Sequence, residues 1–275
     1  MKKKQIFSKP LLYTVLIIYA ALTFIPFLWA ISSSFKPLAE IVSGDISFIP
    51  KDFTFSNYTD LFEQEPLFLR WMLNSVFVTT IMVMLNIIFN SMAGYALARI
   101  DFKGKKVWFF VILSVLMIPG QVTMIPSYLI LKELDWLNTY QGLIIPGAVN
   151  ATFIFMMRQF FINFPKELEE AAQMDGLSRI GTFFRIVLPL AKPALAAQAV
   201  FTFMASWNDF MRPLIVMSDK EMFTLTLGLN AFKGQYISFW NYIMAASTLM
   251  TIPSLLIYAF FNRFFIKGVT FTGGK

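Results

Sequence analysis

The chain has no cysteine and no histidine. Without cysteine there is no disulfide, no thiolate nucleophile and no thiolate zinc ligand. Without histidine the usual side chain for proton transfer near neutral pH is missing as well. Charge is scarce: Asp, Glu, Lys and Arg make up 14% of the 275 residues, against about 25% in soluble domains. No G-x-x-x-x-G-K-[ST] pattern occurs, so the phosphate-cradling loop of nucleotide hydrolases is absent too. With no carboxylate pair on a common cavity-facing stretch, these gaps argue against a membrane enzyme. No metal site is expected.

What the chain has is apolar length. Hydrophobic residues make up 57%, aromatic ones 17%, and the mean hydropathy is +0.64, beyond the ~45–50% apolar share of soluble proteins. About 20 apolar residues carry a helix across the hydrocarbon core. Six segments qualify: 11–31, 72–98, 107–131, 141–161, 193–217 and 241–266. The composition therefore implies an all-α polytopic membrane protein with six transmembrane helices. Pro26, Pro119, Pro126, Pro146 and Pro253 fall inside these segments. Kinks are expected there, because proline removes a donor and crowds the preceding turn. Lys2-Lys3-Lys4 before the first segment also fits a signal peptide. Its 21 apolar-rich residues exceed the usual core of about 7–15, so it reads as a retained anchor.

Positive residues set the orientation. With the N-terminus inside, sixteen Lys and Arg fall on inner segments and seven on outer ones. Both termini and the 162–192 loop are then cytoplasmic. The net charge of +7 follows this topology and does not call for nucleic acid. The expected domains are 1–70, an N-terminal anchor helix with an extracytoplasmic segment; 71–266, a five-helix core carrying the 162–192 loop; and 267–275, a cytoplasmic tail. Segment 32–71, with Phe48, Phe53, Phe55, Tyr58 and Phe62, is too aromatic for a flexible linker and is expected to pack on the outer ends of the spans.

The 162–192 loop is long and carries charge of both signs, and loops of that length usually carry function. Read locally, 163–189 is two short helices and a turn. Pro165 fits the first helical position. Glu167, Glu169 and Glu170 complement the positive end of the helix dipole. Asp175-Gly176 ends the helix, with Gly176 in the left-handed conformation. Ser178 caps the second helix and Pro189 stops it. The small Ala171 and Ala172 leave a surface that another protein can approach closely. A helix lying on the inner leaflet would carry Lys and Arg on its polar face; the three glutamates favour partner docking.

Glu170-Ala171-Ala172, Asp175-Gly176, Phe184, Ile186, Leu188-Pro189 and Pro193 match in order and spacing the "EAA" signature of binding-protein-dependent ABC permeases. Asn74-Ser75, Gly94-Tyr95-Ala96, Ile118-Pro119, Asn138-Thr139, Gly142-Leu143 and Trp207-Asn208-Asp209-Phe210 resemble the maltose-type, carbohydrate branch, so the likeness runs over about residues 70–270. The resemblance implies a type I ABC importer permease fold in a bacterial or archaeal plasma membrane. It also implies an EAA loop seated as a coupling helix in a groove of a cytoplasmic ATPase. Carried over, the contact falls on Glu170, Ala171, Ala172, Asp175 and Gly176, with Glu170 facing a basic residue of the ATPase. The implied partners are a second homologous permease, an ATPase dimer, an extracytoplasmic solute-binding protein and membrane lipid. ATP and Mg would be bound by the ATPase, with no cofactor in this chain. The tail from Lys267 to Lys275 is similar to one that reaches between two ATPases; Gly268, Gly273 and Gly274 suit a flexible strand-like insert or a disordered end. The implied cargo is a sugar or oligosaccharide. A glycerol-phosphate or a polyol within the same architecture is the alternative, and an ATP-independent transporter is disfavoured by the near absence of ionisable groups in mid-membrane.

Polar groups inside spans are costly and face either a pathway or a partner. The substrate-path candidates are Asn86 and Asn90 (four apart, on one helix face), Asn150, Asn208 and Asp209. Gln198 and Asn262 are further polar positions. For Asn86 and Asn90 the competing role is helix–helix adhesion. Asp209 can pair with Arg212 as a clamp or accept a sugar hydroxyl. Trp207, Trp240, Tyr236 and Tyr242 could stack on sugar rings, although aromatics are expected at any membrane interface.

Overall fold

Apolar runs with few charges leave the backbone to satisfy itself, which favours helices. The computed structural model describes residues 9–44, 47–233 and 238–271, without the side chains of 231 and 263–271. Its helices are α1 (Lys9–Ser33), α2 (Leu38–Val42), α3 (Ser56–Gln64), α4 (Phe68–Arg99), α5 (Lys105–Leu116), α6 (Met124–Glu133), α7 (Tyr140–Ile144), α8 (Ala151–Ile162), α9 (Lys166–Met174), α10 (Arg179–Thr182), α11 (Leu188–Leu190), α12 (Lys192–Trp207), α13 (Met211–Val216), α14 (Leu225–Gly228) and α15 (Trp240–Phe271). A π-helical turn, Phe183–Val187, joins α10 to α11, and a 3-10 turn, Ile145–Gly147, continues α7.

Three helices are long and apolar enough to cross a membrane singly: α1, α4 and the Trp240–Asn262 part of α15. The number rises to five if each of two bent pairs is one span: α7 with α8, bent by 41°, and the α10–α11 run with α12, bent by 78°. The six apolar segments are thus not six single helices. Segment 107–131 is interrupted between α5 and α6, where Pro119 supplies no donor and Gly120 no helical preference. Segment 193–217 breaks after Trp207, where the Met204 carbonyl accepts from both the Asn208 side chain (2.8 Å) and the Asn208 N–H (3.3 Å), and resumes as α13. Pro26 and Pro253, by contrast, lie within continuous helices. Gly268 lies in α15, so the described portion of the tail is helical, not strand-like. Lys2, Lys3, Lys4, Tyr236, Gly273, Gly274 and Lys275 lie outside the described residues.

Contacts divide the chain into two units. The first comprises Met1–Phe68 and Leu229–Pro253. Its aromatic segment is folded around Phe35, which stacks on Phe53 (ring centroids 5.1 Å apart) and meets Phe55 and Tyr58 at 5.3 Å. Asn57 donates to the carbonyls of Ser34 and Lys36 and accepts from Asn241. The Lys36 ammonium, 2% exposed, lies 3.7 Å from Glu40 and donates to Ser47.

The second unit comprises Leu69–Gly228 and Ser254–Lys275. It holds two apolar clusters. One joins Val78 and Met82 of α4 to Leu131, Leu143, Ile144, Val216 and Leu227. The other joins Tyr95 to Met157, Phe161, Phe164, Phe183, Val187 and Ala191. Gly94 lets α4 meet α8 backbone to backbone, since a Cβ there would lie 2.8 Å from the Met157 Cβ and 2.9 Å from the Arg158 nitrogen.

Burial tends to raise the pKa of Glu40. The backbone N–H groups of Lys51 and Asp52, the Lys36 ammonium and the Ser47 hydroxyl outweigh it and hold the carboxyl below its ordinary 4.5. A depressed folded value means that this stabilisation is present above the unfolded pKa and is lost as pH falls through the folded one. Hydrogen-exchange protection of the Lys51 and Asp52 amides should therefore persist at neutral pH and decline only below about pH 4.5. Glu40→Gln should remove it at neutral pH, and unchanged protection in that variant would contradict the assignment.

Candidate functional site

Pro165 is the N-cap of α9, one residue before the first helical position expected for it, and Glu167 and Glu169 stand in the first turn. The C-terminus is a Schellman closure: the Leu177 N–H donates to Ala172 and the Gly176 N–H to Gln173, both at 3.0 Å. Gly176 has φ 85°, and a Cβ added to it would meet nothing within 4 Å, so backbone conformation and not space calls for glycine. Ser178 then caps α10, its Oγ accepting from Gly181 at 3.1 Å. The helical run ends at Leu190, one residue past Pro189, and meets α12 at a bend of 78°. The π turn directly before α11 already breaks the regular ladder, so a missing donor costs little there.

The loop has two unlike faces. Glu169, Ala172, Thr182, Phe183, Val187 and Ala191 are buried. Glu167, Glu170, Ala171, Asp175 and Gly176 are exposed. Apolar side chains are also turned outward: Met174 is 88% exposed and Ile180 72%. Of the five positions expected to meet a partner, Ala172 is thus packed inside its own chain, and the other four lie on the open face.

Glu169, absent from the sequence-based set, is the anchor. Its Oε1 lies 3.0 Å from Arg99 Nε, an ion pair without hydrogen-bond alignment, and both side chains are about nine-tenths buried. The Tyr95 hydroxyl donates to Oε2 at 2.8 Å. Arg99 Nη2 donates to the carbonyl of Phe164, just before α9. Tyr95 and Arg99 are four apart on α4 and share one face. Local spacing could not reveal this pair, since its members are 70 residues apart in sequence.

Within the spans, Asn86 donates to the carbonyls of Met82 (3.0 Å) and Gly147 (2.7 Å), and Asn90 donates to Asn86 Oδ1 (2.8 Å). The Asn150 N–H donates to Asn90 Oδ1 (2.9 Å), Gln198 donates to the Asn86 carbonyl (2.7 Å), and the Asn150 side chain caps α8. Asn86, Asn90 and Gln198 are each at most 1% exposed. This network ties α4 to α8 and α12.

Asn208 and Asp209 stand apart from that network, at the end of α12. Asp209 Oδ1 accepts from the Arg212 N–H (3.2 Å), and Oδ2 lies 3.7 Å from Arg212 Nε. Asp209 and Arg212 line a cavity of 330 Å³ with Gln121, Ser127 and Tyr128. Those three were missed because they fall in the run read as a continuous span; Pro119-Gly120 was the available signal that it opens there. Trp207 is buried and stacked on Phe203 (5.5 Å), whereas Trp240 is 42% exposed. Tyr242 packs on Phe232 and Phe239. Among the described residues, no group of three or more Asp and Glu is placed to hold a metal ion.

The family model described as "Binding-protein-dependent transport system inner membrane component" matches residues 90–271. The arabinooligosaccharides transport system permease protein of Halalkalibacterium halodurans is 38% identical over 281 residues, covering 100% of both chains. The protein of the same description from Bacillus subtilis is 36% identical, covering 91% of this chain and 90% of its own. Among solved structures, a chain of a bacterial ABC transporter involved in the import of the acidic polysaccharide alginate superposes with a TM-score of 0.84. It is 25% identical and covers 95% of this chain and 100% of that one.

Gly176→Val should strain the turn after α9 by about 1–2 kcal/mol, the cost of a side chain in the left-handed region. The readout is faster hydrogen exchange at the Gly176 and Leu177 amides; unaltered exchange there would show that φ does not constrain this position.

Proposed function

This chain belongs to the family of binding-protein-dependent transport system inner membrane components, and from that premise we propose how it works and what it carries. It is a multi-pass membrane protein and a permease subunit of an ABC importer. As a permease it is not the hydrolytic subunit, in keeping with the missing phosphate-binding loop. The cargo is a sugar or oligosaccharide, supported by the carbohydrate substrates named for the similar proteins. An ATPase dimer, a second permease and an extracytoplasmic binding protein complete the transporter. The topology is six spans with both termini cytoplasmic, supported by the excess of Lys and Arg on the segments assigned to the inside.

The observation that carries the reading is the two-faced α9. A nine-residue helix is too short to be stable alone. One side of it is packed on its own chain, while Glu167, Glu170, Ala171 and Met174 on the other side are exposed, Met174 by 88%. The open side fits the cleft of an ATPase with a basic rim, Glu170 supplying the charge and Met174 and Ile180 the apolar contact. ATP binding closes the ATPase dimer, α9 moves with the surface it is seated on, and the spans switch between outward and inward access.

Asn86, Asn90 and Asn150, satisfied by one another and by backbone groups, hold the spans together. Asp209 and Arg212, at the cavity with Gln121, Ser127 and Tyr128, are the groups of this chain that meet the solute. Paired carboxylate, guanidinium, amide and hydroxyl groups suit sugar hydroxyls, and 330 Å³ is at the small end of the ~300–1,000 Å³ range of ligand pockets.

Glu170→Lys should cut ATPase co-purification and solute uptake at least tenfold while membrane insertion is retained. Wild-type uptake and full recovery of the complex would refute docking through this face.

A further inference from the structure

We propose that Glu169, Arg99 and Tyr95 form the joint through which α9 moves the permease core: Glu169 is a positioning residue for coupling, distinct from the docking contact at Glu170. The inference rests on the docking reading above and adds to it the route by which force enters the spans.

One cation and one hydroxyl of the same helix turn hold a single carboxylate. Arg99 pairs with Oε1 at 3.0 Å and the Tyr95 hydroxyl donates to Oε2 at 2.8 Å. Contacts to both oxygens, from positions one turn apart on α4, resist rotation of α9 about its own axis as well as its departure from α4. The same guanidinium donates to the Phe164 carbonyl and so holds the connection between α8 and α9. Among the described residues this is the only ion pair that joins α9 to another helix. An apolar contact would also fill the space, but it has no direction; a buried ion pair joined by the Tyr95 hydrogen bond to the other carboxylate oxygen restricts the geometry and is costly to leave half-made.

What α4 touches beyond the joint gives the route. Tyr95 packs against Phe183 of the π turn (centroids 5.0 Å apart), so both halves of the loop bear on it. Further along α4, Asn90 and Asn86 bond to the Asn150 N–H, the Gly147 carbonyl and Gln198. Further still, Met82 packs in one cluster with Val216, which lines the cavity of Asp209 and Arg212. From Arg99 to Met82 the continuous helix spans ~25 Å at 1.5 Å per residue. A displacement imposed at Glu169 is therefore delivered along one rigid element to the cavity wall, with hydrogen bonds on the way to α8 and α12.

The test uses the whole importer, with ATPases, second permease and binding protein, reconstituted in vesicles. Solute accumulated and ATP hydrolysed are measured together. Glu169→Gln and Arg99→Gln should each leave recovery of the complex unchanged and hydrolysis running, while solute moved per ATP falls tenfold or more. Tyr95→Phe should lower it about threefold, the scale of a modest hydrogen bond. The double variant Glu169→Gln/Arg99→Gln should be no worse than the poorer single, because both changes open the same joint. An unchanged transport-to-hydrolysis ratio in the singles, losses that multiply in the double, or loss of the complex in both singles would each overturn the proposal. A failure of the docking reading looks different: Glu170→Lys would then yield the intact complex and normal uptake whatever the Glu169 variants do.

Discussion

The contact between Glu169 and the Arg99–Tyr95 pair joins the 162–192 loop to α4, while the buried Ala172, Phe183 and Val187 keep the same side of the loop inward. The loop carries four carboxylates, at Glu167, Glu169, Glu170 and Asp175, and Glu169 alone among them is buried. A buried carboxylate has to be paired, so once Arg99 and Tyr95 fix Glu169, the roll of α9 about its axis is fixed too. Successive residues on a helix are about 100° apart. Glu170 is therefore turned away from the core when Glu169 and Ala172 are turned into it. Magnitudes separate this pair from the others. Removing one partner of a buried pair costs roughly 3–5 kcal/mol. An exposed pair such as Arg70–Glu221, about half exposed on each side, is worth roughly 0–1 kcal/mol.

The same division between packed and open surface runs through the rest of the chain. In the window that marks α1 as a span, none of the residues is buried within the chain, although the helix is apolar on all sides. Lipid or a neighbouring subunit is the natural environment for such a helix. In the interior of the second unit, the side-chain amides of Asn86, Asn90 and Gln198 and the α8 cap link α4 to α8 and α12. At Asp209 and Arg212 there is a cavity. The buried amides hold helices together, whereas the Asp209–Arg212 pair is partly exposed at the cavity wall.

The local chemistry of the loop was legible in the sequence because caps are local. Gly176 is left-handed and Ser178 accepts at the start of α10, as their residue types require. The continuity of the helices within the apolar segments was less legible, because hydropathy averages over a window and does not register a break such as 117–123, where Pro119 and Gly120 separate α5 from α6. The pairing of Glu169 with Arg99 was beyond local reading altogether. Glu170 stood out by its place in the EAA pattern, whereas Glu169 takes its role from a partner on α4 that only the tertiary fold brings near. The spacing of Asn86 and Asn90 announced one face of a helix, but not that Gly147 and Asn150 would meet it.

The central claim is that the open face of α9 is covered by the ATPase. Because the chain has no cysteine of its own, a single Met174→Cys variant can be labelled by a membrane-impermeant maleimide in inside-out vesicles, and any label found on this chain is at position 174. Labelling should be rapid in the permease pair alone and at least tenfold slower once the ATPase dimer is bound. Equal labelling rates with and without the ATPase would contradict the account.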